Sequence, residues 1–549
     1  MHTAACLIVI TQRHLPENDM SGKMDRRDFI KVSGLGAAAA ATVGASGCVP
    51  DATPAPGSTD AWWTTQAFEL EEATIAGLTD DMATGRRSSV DITQLYLDRI
   101  AALDRDGPQL RSIIETNPEA LTLAAELDEE RAAGNVRGPL HGIPIVVKDN
   151  VDTADGMMTT AGSYALEGHI ASQDSHVAVQ LKAAGAIILA KANLSEWANF
   201  RSTRSSSGWS GRGGQCGNAY AVDRNPCGSS AGSGAATSAN FCAGSIGTET
   251  NGSIVCPSSV NGVVGLKPTV GLVSRSGIIP IAHTQDTAGP MTRTVADAAA
   301  MLTALAGADP RDPMSAPAAQ YTDTDYRDFL DASALRGARI GVERSYFGAD
   351  PHRDDLMEQA IVDMANAGAT IIDNADLVNR SRIGAPSYQV LLYEFKTDLE
   401  LYFQSVAPEL NMRTLDDLIA FNEANADREM PWFGQEIVIE AAAKGDLSTP
   451  EYLESKETAR RYSQDEGIDW LMEEHQLDAI VAPTTRSAWK TDLINGGISS
   501  LGSSSNAAVA GYPSITVPMG FVHGLPIGML FFSRAWDEAG NVQPTRAEI

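Results

Sequence analysis

Short apolar runs alternate with segments of helical periodicity along most of the chain. Each run has about four to six apolar residues bounded by polar or turn residues, which is typical of a buried strand. The runs are IPIVV at 143–147, AIILA at 186–190, GVVGL at 262–266 and RIGV at 339–342, then TIID, DAIVAP, SITVP and IGMLFF towards the C-terminus. We therefore predict a single α/β domain with a central mixed, twisted β-sheet flanked by helices.

Helical periodicity is clearest at the start of the folded part and in one long later segment. Ser88 and Asp91 form a capping pair for the second of two early helices. The apolar positions of these helices are Leu70, Ala73, Ala76 and Leu78, then Ile92, Leu95, Tyr96, Ile100 and Leu103. Residues 385–475 are mostly helical in pattern, and we expect this excursion from the sheet to cover a site.

The composition is that of an ordinary globular protein with a strong acidic bias. Hydrophobic residues make up 43% and charged residues 20% of the chain, which supplies enough apolar mass for a large core. The formal net charge is −29, and no basic stripe offsets it. Such a surface repels a phosphate backbone, so we predict that the protein does not bind nucleic acid.

The N-terminal residues match an export signal. Arg26 and Arg27 begin a twin-arginine pattern, and a mild apolar stretch follows over 32–45. That stretch has 14 residues, fewer than the ~20 that a membrane-spanning helix needs. We predict a signal over 1–48, a Pro-, Ser- and Thr-rich tether over 49–61, a folded domain over 62–536 and an atypical tail over 537–549.

Cys48 at the end of the predicted signal is a candidate for lipidation. Ala45, Ser46 and Gly47 precede it and resemble a lipobox, in which the cysteine is acylated and becomes the mature N-terminus. Because Ala45 stands where leucine is usual, plain cleavage and an uncleaved start stay open as alternatives. The expectation is an exported protein, either periplasmic or anchored to the membrane through Cys48.

Four further cysteines lie in the predicted domain. They are Cys216, Cys227, Cys242 and Cys256. An oxidising compartment permits disulfides, and a Cys216–Cys227 pair is one possibility. Buried free thiols are the alternative that we favour.

The segment from Cys227 to Ala300 is unusually rich in Gly, Ser and Thr. Such a composition weakens both helix and strand, yet the run GVVGL within it argues against a linker. We interpret the small residues as exposing backbone N–H groups around an anion, because glycine lets the main chain turn its amides inward.

Other hydrolase motifs fit this segment less well. Gly228, Ser230 and Gly232 satisfy the GxSxG pattern of α/β-hydrolases, but the polar NAYAVDRNPC stands where that motif needs an apolar strand. This segment contains no SxxK motif, the chain contains no HExxH motif, and the nine histidines form no group with metal-ligand spacing. We therefore expect neither a metal nor a cofactor.

Three longer stretches carry a resemblance to a known family. GSSAGSG from Gly228, then GTETNGSIVCPSSVNGVVGLKPTVGLVSRSG, then QDTAGPMTRTVADAA resemble the amidase signature. The likeness extends from about Trp62 to Trp536. The resemblance implies the amidase signature fold and a cofactor-free hydrolysis of carboxamides to acid and ammonia.

The resemblance also implies a catalytic triad. The family's relay serine, which follows a cis peptide bond, falls on Ser229, its nucleophile on Ser253 and its base on Lys148. Lys148 follows five apolar residues, so its ammonium group is partly desolvated and its pKa should fall toward neutrality. The implied oxyanion-hole donors are the backbone N–H groups of Thr250, Asn251, Gly252 and Ser253.

Nearby polar residues have less direct expected roles. We interpret Ser230, Ser233 and Thr248 as structural hydrogen-bonding residues. Three charged residues either bind substrate or form an internal charge network, and we favour the network. They are Arg275, Asp286 and Arg293.

TETNGSIVCP and ANLSEWANFRS resemble the peptide amidases, which remove ammonia from C-terminally amidated peptides. The expected substrate is therefore a small-molecule or peptide amide. A generic aliphatic or aryl amidase and a non-catalytic or amidotransferase-subunit homologue are the alternatives. Two departures from the family stand out: Asn251 replaces an Asp or Gly, and GNVQPTRAEI replaces the last helix.

Overall fold

A computed structural model describes residues 68–498 and 500–538. Its centre is an eleven-stranded sheet with the strand order β1-β3-β2-β6-β8-β7-β12-β13-β11-β9-β10. The strands are β1 (Ile113–Thr116), β2 (Pro144–Lys148), β3 (Ile187–Ala192), β4 (Trp209–Ser210), β5 (Gly214–Gln215), β6 (Gly244–Glu249), β7 (Val264–Lys267), β8 (Thr287–Thr292), β9 (Arg339–Val342), β10 (Thr370–Ile372), β11 (Ala479–Pro483), β12 (Ser514–Val522) and β13 (Leu525–Phe532). Strands β4 and β5 form a separate hairpin.

Helices flank this sheet. They are α1 (Ile75–Ala83), α2 (Ser89–Arg99), α3 (Ala120–Ala132), α4 (His176–Ala183), α5 (Ala231–Ser238), α6 (Val255–Val260), α7 (Val295–Leu305), α8 (Pro351–Asn366), α9 (Gly384–Phe403), α10 (Leu415–Ala424), α11 (Ala426–Glu429), α12 (Glu436–Ala442), α13 (Pro450–Ser463), α14 (Asp469–His475) and α15 (Ser505–Ala510). The predicted Ser88 and Asp91 capping box is present at the start of α2. The predicted fold class, a mixed sheet flanked by helices, is confirmed.

The sheet is mixed, as the sequence predicts. Strand β2 pairs in parallel with both β3 and β6, whereas β6 pairs antiparallel with β8. Every residue of β2 and β3 is buried, which explains why both read as continuous apolar runs. Strand β2 extends one residue beyond its apolar run, so Lys148 is the last residue of a central strand.

Three strands of the sheet carry no apolar run and escape the sequence pattern. Strands β6 and β8 have the sequences GSIGTE and TAGPMT, and β1 is the short edge strand IIET. The glycines of this region serve close packing. A Cβ atom on Gly232 would lie 2.2 Å from the carbonyl oxygen of Ser112, and one on Gly247 would lie 2.7 Å from the sulfur of Met291. Our interpretation that these small residues surround an anion is therefore wrong for Gly232 and Gly247.

The predicted helical excursion is present. Helices α9 to α14 span Gly384 to His475, and apolar residues of α9, α10 and α12 pack with residues of the sheet domain, such as Trp197 and Ile281, in one hydrophobic cluster. The carbonyl oxygen of Arg201 accepts a hydrogen bond from the N–H of Ile437 at 3.1 Å, which ties the excursion to the sheet domain. This arrangement brings α9 alongside the ends of the central strands.

Several predictions fall on residues outside the described ranges. These residues include Arg26, Arg27, Cys48, the tether over 49–61, Trp62 and the last eleven residues of the tail. Within the described ranges, no helix combines the length and the apolar character that crossing a membrane would require.

Candidate active site

Lys148 lies at the carboxyl end of β2 with its side chain buried in the protein. Its Nζ atom donates to Ser229 Oγ at 2.7 Å and to Thr248 Oγ1 at 2.8 Å. It also donates to the carbonyl oxygen of Thr248 at 3.2 Å. These contacts hold the amine against the hydroxyl of Ser229.

Burial changes the acid–base chemistry of this lysine. Desolvation lowers the pKa of Lys148 to about 7, although the charges of Asp286 and Glu249 oppose the shift. A neutral amine is therefore available near pH 7, in a position to accept a proton from Ser229. This agrees with the downward shift that the sequence predicts.

Ser229 lies two residues before the first residue of α5, and the Gly228–Ser229 peptide bond is cis. The carbonyl oxygen of Ser229 accepts a hydrogen bond from the N–H of Ser195 at 3.0 Å. There is little room at the preceding residue, because a Cβ atom on Gly228 would lie 2.2 Å from Ser195 Oγ. The packing around Gly228 and Ser195 thus confines the segment that carries Ser229.

Ser253 lies in the turn between β6 and α6 and is 9% exposed. Its carbonyl oxygen accepts a hydrogen bond from the N–H of Ser230 at 3.1 Å, which joins the segments that carry Ser229 and Ser253. The structure therefore brings all three predicted triad residues into one region, with Lys148 and Ser229 in direct contact.

Glu249 organises the turn around Ser253. Its carboxylate accepts hydrogen bonds from the N–H groups of Gly252 at 2.7 Å, Ile254 at 2.7 Å and Val255 at 3.0 Å. A carboxylate is favourable at a helix N-terminus, where N–H groups lack partners within the helix. Sequence reasoning missed this residue, although an acidic residue just ahead of a short helix was a usable signal.

These contacts bear on the predicted oxyanion donors. The N–H of Gly252 points at Glu249 in this structure, so it is already engaged. The backbone N–H groups of Thr250, Asn251 and Ser253 remain as the candidates for an oxyanion. Gly252 has a φ of +83°, a conformation that glycine adopts without strain.

The side chain of Asn251 is held by a neighbouring loop. Ser504 Oγ donates to Asn251 Oδ1 at 2.8 Å, and Asn251 Nδ2 donates to Ser505 Oγ at 3.2 Å. A Cβ atom on Gly252 would lie 2.9 Å from Ser504 Oγ, so this loop packs closely on the turn. The segment around Ser504 therefore forms one side of the site.

The predicted structural hydrogen bonds are present. Ser230 Oγ donates to the carbonyl oxygen of Thr248 at 3.0 Å, and Ser233 Oγ donates to that of Ile246 at 3.0 Å. Thr248 does more than the sequence suggested, because its hydroxyl accepts hydrogen bonds from both Lys148 and Asn150. Thr248 and Asn150 are neighbours of the base that sequence reasoning did not identify.

The three charged residues near the site have internal partners. Arg275 binds the carboxylate of Asp312 and the carbonyl oxygen of His283. Arg293 donates to the carbonyl oxygens of Ala73, Thr237, Cys242 and Ala243. Asp286 accepts hydrogen bonds from the Thr250 hydroxyl and from two backbone N–H groups, and burial raises its pKa to about 6. All three residues thus have internal partners, but those of Arg293 are backbone carbonyls rather than charged groups. Arg275 and Asp286 also line the cavity beside the site, so the choice between an internal network and substrate binding stays a prediction for these two residues.

A cavity of about 270 Å³ opens beside these residues. Thr248, Thr250 and Asn150 line it on the side of Lys148, and Tyr402 of the excursion lines it on another side. Three isoleucines supply much of the apolar wall, namely Ile278, Ile279 and Ile281. The excursion therefore borders the site, as the sequence predicts.

The disulfide differs from our expectation. Cys227 and Cys256 are joined, whereas Cys216 and Cys242 are buried free thiols. The prediction of free thiols is right for Cys216 and Cys242 and wrong for the other two, and the Cys216–Cys227 alternative is also wrong. Cys216 packs in the main hydrophobic core, whereas Cys227 belongs to a separate small cluster together with Cys256, despite the proximity of Cys216 and Cys227 in sequence.

One group of side chains has a composition that is suitable for a metal. His283, Glu394 and Asp398 offer ligand atoms within 4.8 Å of one another. Their polar atoms already have partners. His283 Nδ1 lies 2.9 Å from Asp398, Nε2 lies 3.3 Å from Glu394, and the Tyr452 hydroxyl donates to Glu394 at 2.7 Å. Although burial opposes it, the hydrogen bond to Asp398 and the charge of Glu394 raise the pKa of His283, so this group is an ion-pair network.

Comparison with known proteins identifies the family. The amidase family model matches residues 91–541. The native peptide amidase from Stenotrophomonas maltophilia is 50% identical, with a TM-score of 0.81 over 86% of this chain and 95% of that chain. A putative amidase of Schizosaccharomyces pombe is 38% identical, over 86% of this chain and 84% of its own. A glutamyl-tRNA(Gln) amidotransferase subunit of Heliobacterium modesticaldum is 33% identical, over 83% and 92%.

These matches confirm the resemblance that GSSAGSG and TETNGSIVCP indicate. They cover the sheet, the turn at Ser253 and the helical excursion alike. The chain therefore belongs to the amidase family and is an amide hydrolase.

Proposed function

We propose that the protein hydrolyses C-terminal peptide carboxamides to the free acid and ammonia through an acyl-enzyme on Ser253. One observation carries the mechanism: the buried Lys148 amine, whose pKa is about 7, lies 2.7 Å from Ser229 Oγ. A serine hydroxyl is a weak nucleophile unless a base removes its proton. Lys148 is that base, and Ser229 is the relay.

In the first step Ser253 Oγ attacks the carboxamide carbon. Its proton passes to Ser229 Oγ as the Ser229 proton passes to the neutral amine of Lys148. The carbonyl oxygen becomes an oxyanion, which accepts hydrogen bonds from the N–H groups of Thr250, Asn251 and Ser253. Such donors typically contribute ~3 kcal/mol each to transition-state stabilisation.

In the second step the carbon–nitrogen bond breaks. The Lys148 ammonium returns its proton through Ser229 to the leaving nitrogen, which departs as ammonia. The acyl group remains on Ser253 as an ester. Water then attacks this ester with the same relay as base, which releases the carboxylic acid and restores the Ser253 hydroxyl.

We place the leaving group beside the turn, where the packing is close. The loop at Ser504 packs so closely on Gly252 that a single added carbon would meet its hydroxyl at 2.9 Å. Ammonia needs very little space on this side. The cavity between the isoleucine wall and Tyr402 offers about 270 Å³ for the acyl part of a peptide.

The substrate class is tested with one peptide in three forms: its C-terminal amide, its free acid and a form extended by further residues at its C-terminus. We expect mass spectrometry to detect conversion of the amide to the acid and no cleavage of the extended form. Cleavage of the internal bond would contradict the small leaving-group site. Rapid turnover of aliphatic or aryl amides without conversion of any peptide amide would favour a generic amidase.

A role in an amidotransferase complex is the alternative that the Heliobacterium relative suggests. A role on tRNA is disfavoured by the net charge of −29, since the protein would repel a phosphate backbone. Hydrolysis of a free peptide amide by the isolated chain, without partner proteins, is the result that separates the two functions.

We also propose that the protein is exported through the twin-arginine pattern. The Cys227–Cys256 disulfide supports this location, because disulfides persist mainly in oxidising compartments. Replacing both Arg26 and Arg27 by Lys is expected to retain the protein in the cytosol, as measured by cell fractionation. If this variant were still exported like the wild type, the predicted twin-arginine signal would be contradicted. Cys48→Ser tests lipidation separately, and release of this variant from membranes is the expected result.

A further inference from the structure

The disulfide joins the two segments that carry the proposed relay and the proposed nucleophile. Cys227 lies two residues before Ser229, and Cys256 lies three residues after Ser253. The Cα atoms of the two cysteines are 6.0 Å apart, although 29 positions separate them in sequence. Both cysteines are buried. A single covalent link thus spans the two serines of the triad.

The two segments differ in how firmly the rest of the fold holds them. Cys256 belongs to α6, whose first N–H groups bind the carboxylate of Glu249. Residues 216–230, in contrast, form neither helix nor sheet strand until α5 begins. The disulfide therefore anchors the end of an irregular segment to a short helix that is itself fixed to β6.

Hydrogen bonds also join the two segments. At the end of α6, Asn261 Nδ2 donates to the carbonyl oxygen of Pro226 at 3.0 Å. The N–H of Ser230 donates to the carbonyl oxygen of Ser253 at 3.1 Å. Ser230 Oγ binds Thr248, which lies on β6 rather than on the turn. The disulfide thus adds a covalent restraint to these hydrogen bonds between the relay and nucleophile segments.

We infer that the Cys227–Cys256 disulfide is a positioning element for catalysis, which holds Ser229 in register with Ser253. The inference rests on the proposed function. An error of about 1 Å in the placement of reacting groups costs on the order of 100-fold in rate. Loss of the link therefore lowers the rate of acylation more than it lowers substrate binding, because the acyl cavity is lined by other parts of the chain.

The chain provides its own matched control. Cys216 and Cys242 are buried free thiols, and burial raises the pKa of both. A thiol with a raised pKa forms little thiolate and therefore reacts slowly with oxidants and alkylating agents, and a reductant leaves it unchanged. Replacing these two cysteines by alanine removes the same number of sulfur atoms as replacing the disulfide pair, without touching the link.

The test compares Cys227→Ala/Cys256→Ala with Cys216→Ala/Cys242→Ala and the wild type on one peptide amide. Assays run well below the unfolding temperature of each variant, with circular dichroism as the check on folding. We expect kcat to fall about 10- to 100-fold in the first variant while KM stays within about twofold. Labelling of Ser253 by a sulfonyl fluoride should slow in parallel. The second variant should match the wild type.

Reduction of the native wild-type protein gives an independent measurement if the double variant fails to fold. A water-soluble phosphine breaks the sulfur–sulfur bond, each sulfur gains a proton, and phosphorus becomes a phosphine oxide with oxygen from water. A diazene oxidant then takes two electrons and two protons from the thiols and is reduced to a hydrazide as the bond re-forms. Alkylation and mass spectrometry report the state of Cys227 and Cys256.

Activity that falls on reduction and returns on oxidation supports the inference. Activity that stays within twofold of the wild type in folded protein shown to lack the link overturns it. The proposed function fails differently: oxidised wild-type protein would then hydrolyse no amide, or Ser253→Ala would retain turnover. The two failures are therefore distinguishable in the same set of assays.

Discussion

Replacing Ser253 by alanine is expected to abolish amide hydrolysis while the fold stays intact. The substitution removes the proposed nucleophile, and the smaller alanine side chain fits any position that accepts serine. Removing a nucleophile from a triad leaves only the rate contributed by binding and the oxyanion donors, so kcat should fall by at least ~10⁴-fold. Ammonia release measures the activity, and thermal unfolding measures the fold.

A matched control lies on the following helix. Ser258 is fully buried on α6, and its hydroxyl has no hydrogen-bond partner in the described structure. Ser258→Ala should therefore retain activity close to that of the wild type. If folded Ser253→Ala protein retained activity close to that of the wild type, Ser253 would not be the nucleophile.

Replacing Lys148 by methionine is expected to produce the second largest effect. Methionine fills a similar volume but cannot accept a proton, so kcat/KM should fall by ~10²- to 10⁴-fold, the usual contribution of a general base. In the wild type, kcat/KM should rise with pH up to about 7, where the Lys148 amine becomes neutral, and then level off. The variant should lack this rise.

The same titration predicts a change in stability with a definite sign. Burial lowers the pKa of Lys148 from 10.5 to about 7, so the unfolded chain binds the additional proton between these pH values. The free energy of unfolding of the wild type should therefore rise with pH across this window relative to that of Lys148→Met. Chemical denaturation of both proteins at several pH values measures the difference.

Lys191 provides the control for a buried lysine. It lies on the adjacent strand β3, and its amine donates to the carbonyl oxygen of Val151 and to the hydroxyl of Thr159. Lys191→Met should lose stability, because it leaves these acceptors unpaired, yet keep the rise of kcat/KM with pH. A rise that persists in Lys148→Met would show that another group is the base.

The sequence predicts those strands that are apolar on both faces. The run RIGV coincides with β9, and IPIVV and AIILA lie within one residue or two of β2 and β3. Burial on both faces forces such strands to be continuously apolar, so they are readable without knowledge of the fold. The helices of the excursion are predicted from the sequence for a related reason, because each has a polar face and an apolar face that recur with helical periodicity.

The central strand β6 is not predicted by an apolar run in this way. Its sequence GSIGTE contains two glycines because neighbouring elements approach its backbone closely, such as Met291 at Gly247. The need for small side chains arises from tertiary contacts that a local pattern does not contain. Glycines that close packing requires have the same local composition as an anion-binding loop, so the sequence alone does not separate the two.

The residues of the candidate site also differ in whether the sequence alone predicts them. Lys148, Ser229 and Ser253 follow from the resemblance of long motifs, whereas the supporting residues do not. Thr248 contacts Lys148 and Asn150, which lie about 100 positions earlier in the chain, so their roles depend on the fold. Glu249 binds N–H groups three to six positions after it, and here the local signal of an acidic residue before a short helix was missed. The partner of Cys227 is likewise set by the fold, which brings α6 next to a segment 29 positions earlier in the chain.

Identification of the acylated residue is the most direct test of the central claim, that Ser253 carries the acyl group. An acyl amino acid activated as a nitrophenyl ester acylates the enzyme faster than an amide does, so the acyl-enzyme accumulates before an acid quench. Peptide mapping by mass spectrometry then locates the added acyl mass. We predict that it lies on Ser253 and is absent from Ser253→Ala; an acyl group on Ser229 or Ser230 instead would contradict the mechanism.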